Sequence, residues 1–202
     1  MEREINTSEF LGKRTFILGD VNTGKTTLSR EILVEFCRQG LSSRIAVIDL
    51  APEIPADVLI ARGLQGVGGK LLPPEESDVL YLGASLKPPR LSSGTEEEAL
   101  GIARENVAKI EGLFQDFGRS GRDILFMNDI SLYLQAGTTE VLLNWIRMAK
   151  TVVANGYYGE RLGAGVLSRR EKEQTGRLKQ YFDEVIELVI LPGSGRGGDR
   201  MM

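Results

Sequence analysis

Eight residues constrain this chain more than any others. Gly19-Asp20-Val21-Asn22-Thr23-Gly24-Lys25-Thr26 fills every fixed position of the pattern G-x-x-x-x-G-K-[ST]. A short apolar run of strand-forming residues, 14–18 (RTFIL), precedes it. After it the pattern turns helical: Leu28, Ile32, Leu33 and Phe36 share one face, and Gly40 closes the segment. A glycine-bearing turn between a strand and a helix is suited to phosphate. Without a Cβ, successive backbone N–H groups can turn inward and donate to anionic oxygens. The helix start aims its positive dipole end at the same point. Lys25 adds a mobile ammonium for β- and γ-phosphates, and the Thr26 hydroxyl is a ligand for Mg²⁺. The candidate nucleotide-binding residues are therefore Gly19, Asp20, Val21, Asn22, Thr23, Gly24, Lys25, Thr26 and Thr27. Thr27 is placed for the α-phosphate, with the equal alternative that its hydroxyl satisfies its own helix terminus.

A phosphate-bound Mg²⁺ also calls for a carboxylate at the C-terminal end of a strand. Two acids qualify. Asp49 ends the run 44–50 (RIAVIDL), and Asp129 follows the run 124–127 (ILFM) with Asn128 between. Asp49 is expected at the metal and, with Lys25, in catalysis. Asp129 is the alternative metal-side or substrate-side group. For each the competing reading is an acid that caps a loop. Glu53 reads as a solvated turn residue.

The remaining segments alternate. Further strands are expected at 79–82, 151–154 and 185–191. Helices are expected at 55–62, after a capping box made by Thr95 and Glu98, at 138–149 and at 169–182. The helix after Thr95 carries Ala103, Val107, Ile110, Phe114 and Phe117 on one face. This order predicts an α/β fold of the P-loop NTPase kind: three layers, with a mostly parallel central sheet of about six strands. One nucleotide-binding domain over 1–192 and a disordered tail over 193–202 are expected.

Composition narrows the chemistry. The 202 residues contain no histidine, which excludes Ser-His-Asp and Cys-His nucleophile chemistry. The single cysteine, Cys37, reads as a small buried apolar residue. One thiol allows no internal disulfide and points to a reduced, cytoplasmic setting. The charged N-terminal decapeptide lacks an apolar signal core, and no apolar run is long enough to span a membrane. A net charge of −3 gives no general basic field for nucleic acid.

Three features are weaker. Residues 63–70 (GLQGVGGK) read as a tightly turning segment in preference to a second anion-binding loop with Lys70 as its charge. Tyr157 and Tyr158 follow the fifth strand and could stack on a base or pack in a loop. Arg161, Arg169, Arg170 and Arg177 are candidates for an arginine that folds over the phosphates, or for a solvated helix face.

GDVNTGKTTL, then a helix, a glycine and RIAVIDL, resembles the polynucleotide 5′-hydroxyl kinases, especially their archaeal members. DVLYLGASLKPPRL and DILFMNDISLYLQAG are similar to later segments of that family. Asp49 matches the first acid of its D-x-D-x-G-Q strand end. Ala51 stands at the second acid, Asn128-Asp129-Ile130 stands where the family has T-x-G, and no R-x-x-x-R pair follows the fifth strand. The resemblance implies Mg²⁺-dependent binding of ATP, or of GTP, and phosphoryl transfer to a hydroxyl such as an RNA or DNA 5′ end. The G-K-T-T loop and DEVIELVI are similar to the ATP:corrinoid adenosyltransferases. A third possibility is a slow or non-catalytic nucleotide switch that signals through 63–70.

Overall fold

The structure is a computed structural model and describes residues 5–61, 69–159, 161 and 165–189. Six strands form one sheet: β1 (Arg14–Gly19), β2 (Ile45–Asp49), β3 (Leu80–Gly83), β4 (Ile124–Asn128), β5 (Thr151–Tyr157) and β6 (Glu184–Leu188). Their order is β3-β2-β4-β5-β1-β6, and every pairing is parallel. The helices are α1 (Lys25–Arg38), α2 (Ala56–Ala61), α3 (Glu96–Ser120), α4 (Ser131–Leu134), α5 (Thr139–Ile146) and α6 (Val166–Lys179). The tail over 193–202 and most of the glycine-rich segment 63–70 lie outside the described residues.

The apolar strands are continuous because both faces are covered. Side chains alternate across a strand. Phe16, Leu18, Ala46, Ile48, Leu125 and Met127 therefore pack with Ile110, Phe114 and Phe117 of α3, with α4 and α5, and with Leu178 of α6. Ile17, Ile45, Val47, Ile124, Phe126 and Val153 pack on the opposite side with Leu28, Ile32, Leu33 and Phe36 of α1. Each fully buried Val, Leu, Ile, Phe or Met among them contributes about 1.5–3 kcal/mol relative to exposure. The result is three layers: α1 on one face of the sheet, and α3 to α6 on the other.

Local chemistry sets the helix ends. Gly40 (φ +75°) donates to the Cys37 carbonyl after α1, and Leu41 donates to that of Phe36, as the glycine signal predicts. The Thr95 hydroxyl accepts from the Glu98 N–H at 3.2 Å. The Glu98 carboxylate reaches back one residue further than a capping box requires, to the Gly94 N–H at 2.8 Å. Cys37 is partly buried against the α1 core.

Several elements differ from the sequence reading, α5 among them, which ends at Ile146 before the expected 149. β5 runs on to Tyr157, because Asn155, Gly156 and Tyr157 keep pairing with Ile17, Leu18 and Gly19. α4 was not expected: four residues carry too little of a 3.6-residue period to register. α6 starts at Val166, three residues before the expected 169. Among the described residues no helix is long and apolar enough to cross a membrane.

This topology positions the site. Successive strands β1 and β2 are not neighbours, since β4 and β5 lie between them. In an open parallel sheet such a reversal leaves a crevice at the carboxyl ends of the strands.

Candidate functional site

The turn after β1 fills that crevice. Gly19 ends β1 with no room for a side chain: a Cβ would lie 2.5 Å from Thr23 Oγ1 and 2.6 Å from the Leu188 carbonyl of β6. Asn22 (φ +59°) and Gly24 (φ +89°) take left-handed backbone and turn the chain back into α1. Thr23 Oγ1 donates to the Asp20 carbonyl at 3.0 Å, and Lys25 Nζ donates to the same carbonyl at 2.6 Å. The Lys25 ammonium is thus held over the loop. Burial lowers its pKa, while the charges of Asp129 and Asp20 act the other way.

A cleft of about 290 Å³ opens over this turn. Val21 to Thr27 form one wall; Ala51, Gly69, Asn128, Asp129, Asn155 and Tyr157 form the other. The loop residues proposed from the sequence thus line one cleft, apart from Gly19 and Asp20, which precede it at the end of β1. Thr27 lies at the exposed mouth.

The two candidate acids occupy different places. Asp49 is 0% exposed, and its carboxylate accepts four hydrogen bonds. Oδ1 takes the Ala51 N–H (3.0 Å) and Asn128 Nδ2 (2.9 Å). Oδ2 takes the Leu71 N–H (2.7 Å) and the Tyr81 hydroxyl (2.9 Å). It sits behind the cleft wall and ties β2 to β3, β4 and the segment before β3. This departs from the expectation that Asp49 serves the metal.

Asp129 faces the cleft. Its backbone is left-handed (φ +57°), a conformation that Asp tolerates better than most residues. The Asp129 N–H donates to Asn155 Oδ1, and the Ser131 hydroxyl donates to Asp129 Oδ1, both at 2.9 Å. The surrounding protein strips water from the carboxylate and raises its pKa; Ser131, Lys25 and Arg90 oppose that shift.

Sequence reasoning missed three residues here, Asn128, Asn155 and Arg90, and left Tyr157 between base stacking and loop packing. Asn128 and Asn155 join the strand ends: Asn155 Nδ2 donates to Asn128 Oδ1 and to Ser29 Oγ of α1, each at 2.9 Å. Tyr157 ends β5 in the cleft wall. Arg90, in the loop before α3, pairs with buried Glu171 of α6 and feels the charge of Asp129. The only signal for the two asparagines was a polar residue ending an apolar strand. The expected lid arginines do not line the cleft: Arg170 donates to the Ala136 and Gly137 carbonyls, and Arg177 pairs with Glu173. Tyr158 packs toward the α3–α6 layer, with Lys179 Nζ 4.5 Å from its ring centre.

A glycine-flanked turn at the end of β1, a lysine and threonine opening α1, and an all-parallel six-stranded sheet now stand together. Together they make a three-layer α/β fold with the G-x-x-x-x-G-K-T turn at the carboxyl edge of its parallel sheet. No protein-family model matches the chain, and no curated protein matches it. Among solved structures, the chain is similar to the flagellar accessory protein FlaH from Methanocaldococcus jannaschii. The identity is 11% and the TM-score 0.48, over 88% of this chain and 71% of that one.

The residues fit Mg²⁺. The Thr26 hydroxyl donates its proton to Asn128 Oδ1 at 3.3 Å, which leaves its lone pairs turned to the cleft. Among the described residues no three His, Cys, Asp or Glu side chains gather as a metal cage. Mg²⁺ seldom needs one, since it is commonly held by one or two protein oxygens, substrate phosphates and water.

Proposed function

We propose that this chain binds a nucleoside triphosphate, ATP or GTP, with Mg²⁺ at residues 19–27, and transfers its γ-phosphoryl group. The observation that carries the reading is that Lys25 and Asp129 line one cleft, above a turn that Gly19 and Gly24 shape. The N–H groups of the turn and the start of α1 are placed to receive the β- and γ-phosphates. Lys25 supplies positive charge where negative charge develops during transfer. Mg²⁺, when bound, would supply charge neutralisation to the phosphates. The Thr26 hydroxyl would hold it, and the Asp129 carboxylate would accept from its water or orient the attacking oxygen. We assign this carboxylate role to Asp129 rather than Asp49, because the Asp49 oxygens are already occupied by four donors.

The acceptor is water or a hydroxyl, of which a polynucleotide 5′ end is the case the sequence resemblance favours. A second reading, a slow nucleotide switch, is supported by the neutral amide of Asn128 beside Thr26. Phosphate release from ATP and from GTP, with and without short 5′-hydroxyl RNA or DNA, separates the two. Product analysis of the oligonucleotides reads transfer. Asp129→Asn is expected to lower kcat by about 10²-fold or more while nucleotide affinity holds within about threefold. Wild-type turnover equal to that of Lys25→Ala in every mixture would remove the transferase reading and leave the switch.

A further inference from the structure

Asn128 uses all of its hydrogen-bonding capacity. Its Nδ2 donates to Asp49 Oδ1 and to the Gly69 carbonyl, both at 2.9 Å. Its Oδ1 accepts from Asn155 Nδ2 at 2.9 Å and from Thr26 Oγ1 at 3.3 Å. Chemistry dictates this orientation. The Asp49 carboxylate and the Gly69 carbonyl can only accept, so the NH₂ group must face them. Asn155 is fixed in turn, because the Asp129 N–H requires its oxygen.

The segment 69–71 hangs on the same group of atoms. The Gly69 carbonyl is held by Asn128, the Leu71 N–H by Asp49 Oδ2 at 2.7 Å, and Lys70 Nζ donates to the Ala51 carbonyl at 2.8 Å. Gly69 also lines the cleft opposite the phosphate turn. One amide therefore touches the hydroxyl offered to Mg²⁺ on one side and the backbone of a cleft wall on the other.

Building on the nucleotide reading above, we propose that Asn128 is a positioning residue that couples Mg·nucleotide at Thr26 to the segment 69–71, and that this coupling requires an amide. A carboxylate at 128 could still take the Thr26 proton. It could not donate to Asp49 or Gly69, and it would set a second negative group against a buried carboxylate. The amide gives up one fixed charge near the cation in exchange for a locked cleft wall. Mg²⁺ binding then depends on the phosphates, and occupancy of Thr26 is reported to 69–71 through Asn128.

Backbone amide exchange tests this on the full chain. Peptides covering 69–72 are followed without ligand, with a nonhydrolysable ATP or GTP analogue plus Mg²⁺, and with the analogue plus EDTA. In wild type, exchange at 70–71 is expected to slow by about fivefold or more with Mg²⁺, and much less with EDTA. In Asn128→Asp, exchange without ligand is expected to rise about tenfold, and the Mg²⁺ response to vanish. The ligand-free rise reads the lost donors to Asp49 and Gly69 whether or not the variant binds nucleotide, and unchanged ligand-free exchange in the variant overturns the requirement for an amide. Equal protection of 70–71 in wild type with and without Mg·analogue, while the analogue binds, overturns the coupling whatever the variant does. Wild-type protection in Asn128→Asp overturns the requirement for an amide. Should no analogue bind wild type at all, the nucleotide reading fails and takes the coupling with it.

Discussion

Asp129 combines a left-handed backbone, a cleft-facing carboxylate and a desolvated environment. The sign of its effect on stability follows from burial. Desolvation raises its pKa in the folded chain above the ordinary 3.8, so between those two values the native state holds more protons than the unfolded one. Its contribution to stability is greatest below pH 3.8 and falls as pH rises through the folded value. Wild type should therefore lose stability with rising pH across this window relative to Asp129→Asn, a variant that also tolerates φ +57°. Chemical unfolding of both proteins at several pH values measures the difference. Identical pH slopes would mean that the carboxylate is not desolvated. Lys25 carries the opposite problem: burial disfavours its charge, and the neighbouring acids make the ammonium tolerable. Each charge is thus costly alone and supported by the other.

At the scale of elements, the site depends on how closely β1 approaches β6 and its own following turn. Gly19 has backbone oxygen on one side and a threonine hydroxyl on the other. Gly19→Ala is expected to destabilise the fold by about 1–3 kcal/mol, because Leu188 is backbone in a paired strand and cannot swing aside. Gly24→Ala meets nothing within 4 Å and strains only φ, so it should cost about 1–2 kcal/mol. Urea midpoints of the two variants would show both losses; a neutral Gly19→Ala would mean that β1 and β6 are further apart than described. The β1–turn–α1 unit was legible in the sequence because two periods and a fixed spacing are local properties. The three-layer class followed from alternation of apolar runs; the strand order, which depends on pairing between distant segments, was not legible. The role of Asp49 was not legible: Leu71, Tyr81 and Asn128 reach it only after β2, β3 and β4 pair. Arg90 was equally hidden, since its partner Glu171 lies on a helix far along the chain. Asn155 sits at the end of an apolar strand, where pattern alone ends the strand early.

Across the whole molecule, the sheet brings the ends of β1, β4 and β5 to one edge, and α1 leaves from that edge with its N-terminus toward the cleft. The asparagine pair ties these strands to α1 through Ser29, so the phosphate turn and Asp129 sit on one braced frame rather than on independent loops. A preorganised frame of this kind lets charges act without rearrangement. The most direct test is calorimetric titration of the full chain with nonhydrolysable ATP and GTP analogues in Mg²⁺, beside Lys25→Ala. The account predicts saturable one-to-one binding of at least one analogue to wild type, weakened about 100-fold or more in the variant. Absence of binding by either analogue, or equal affinity with and without the Lys25 ammonium, would contradict it.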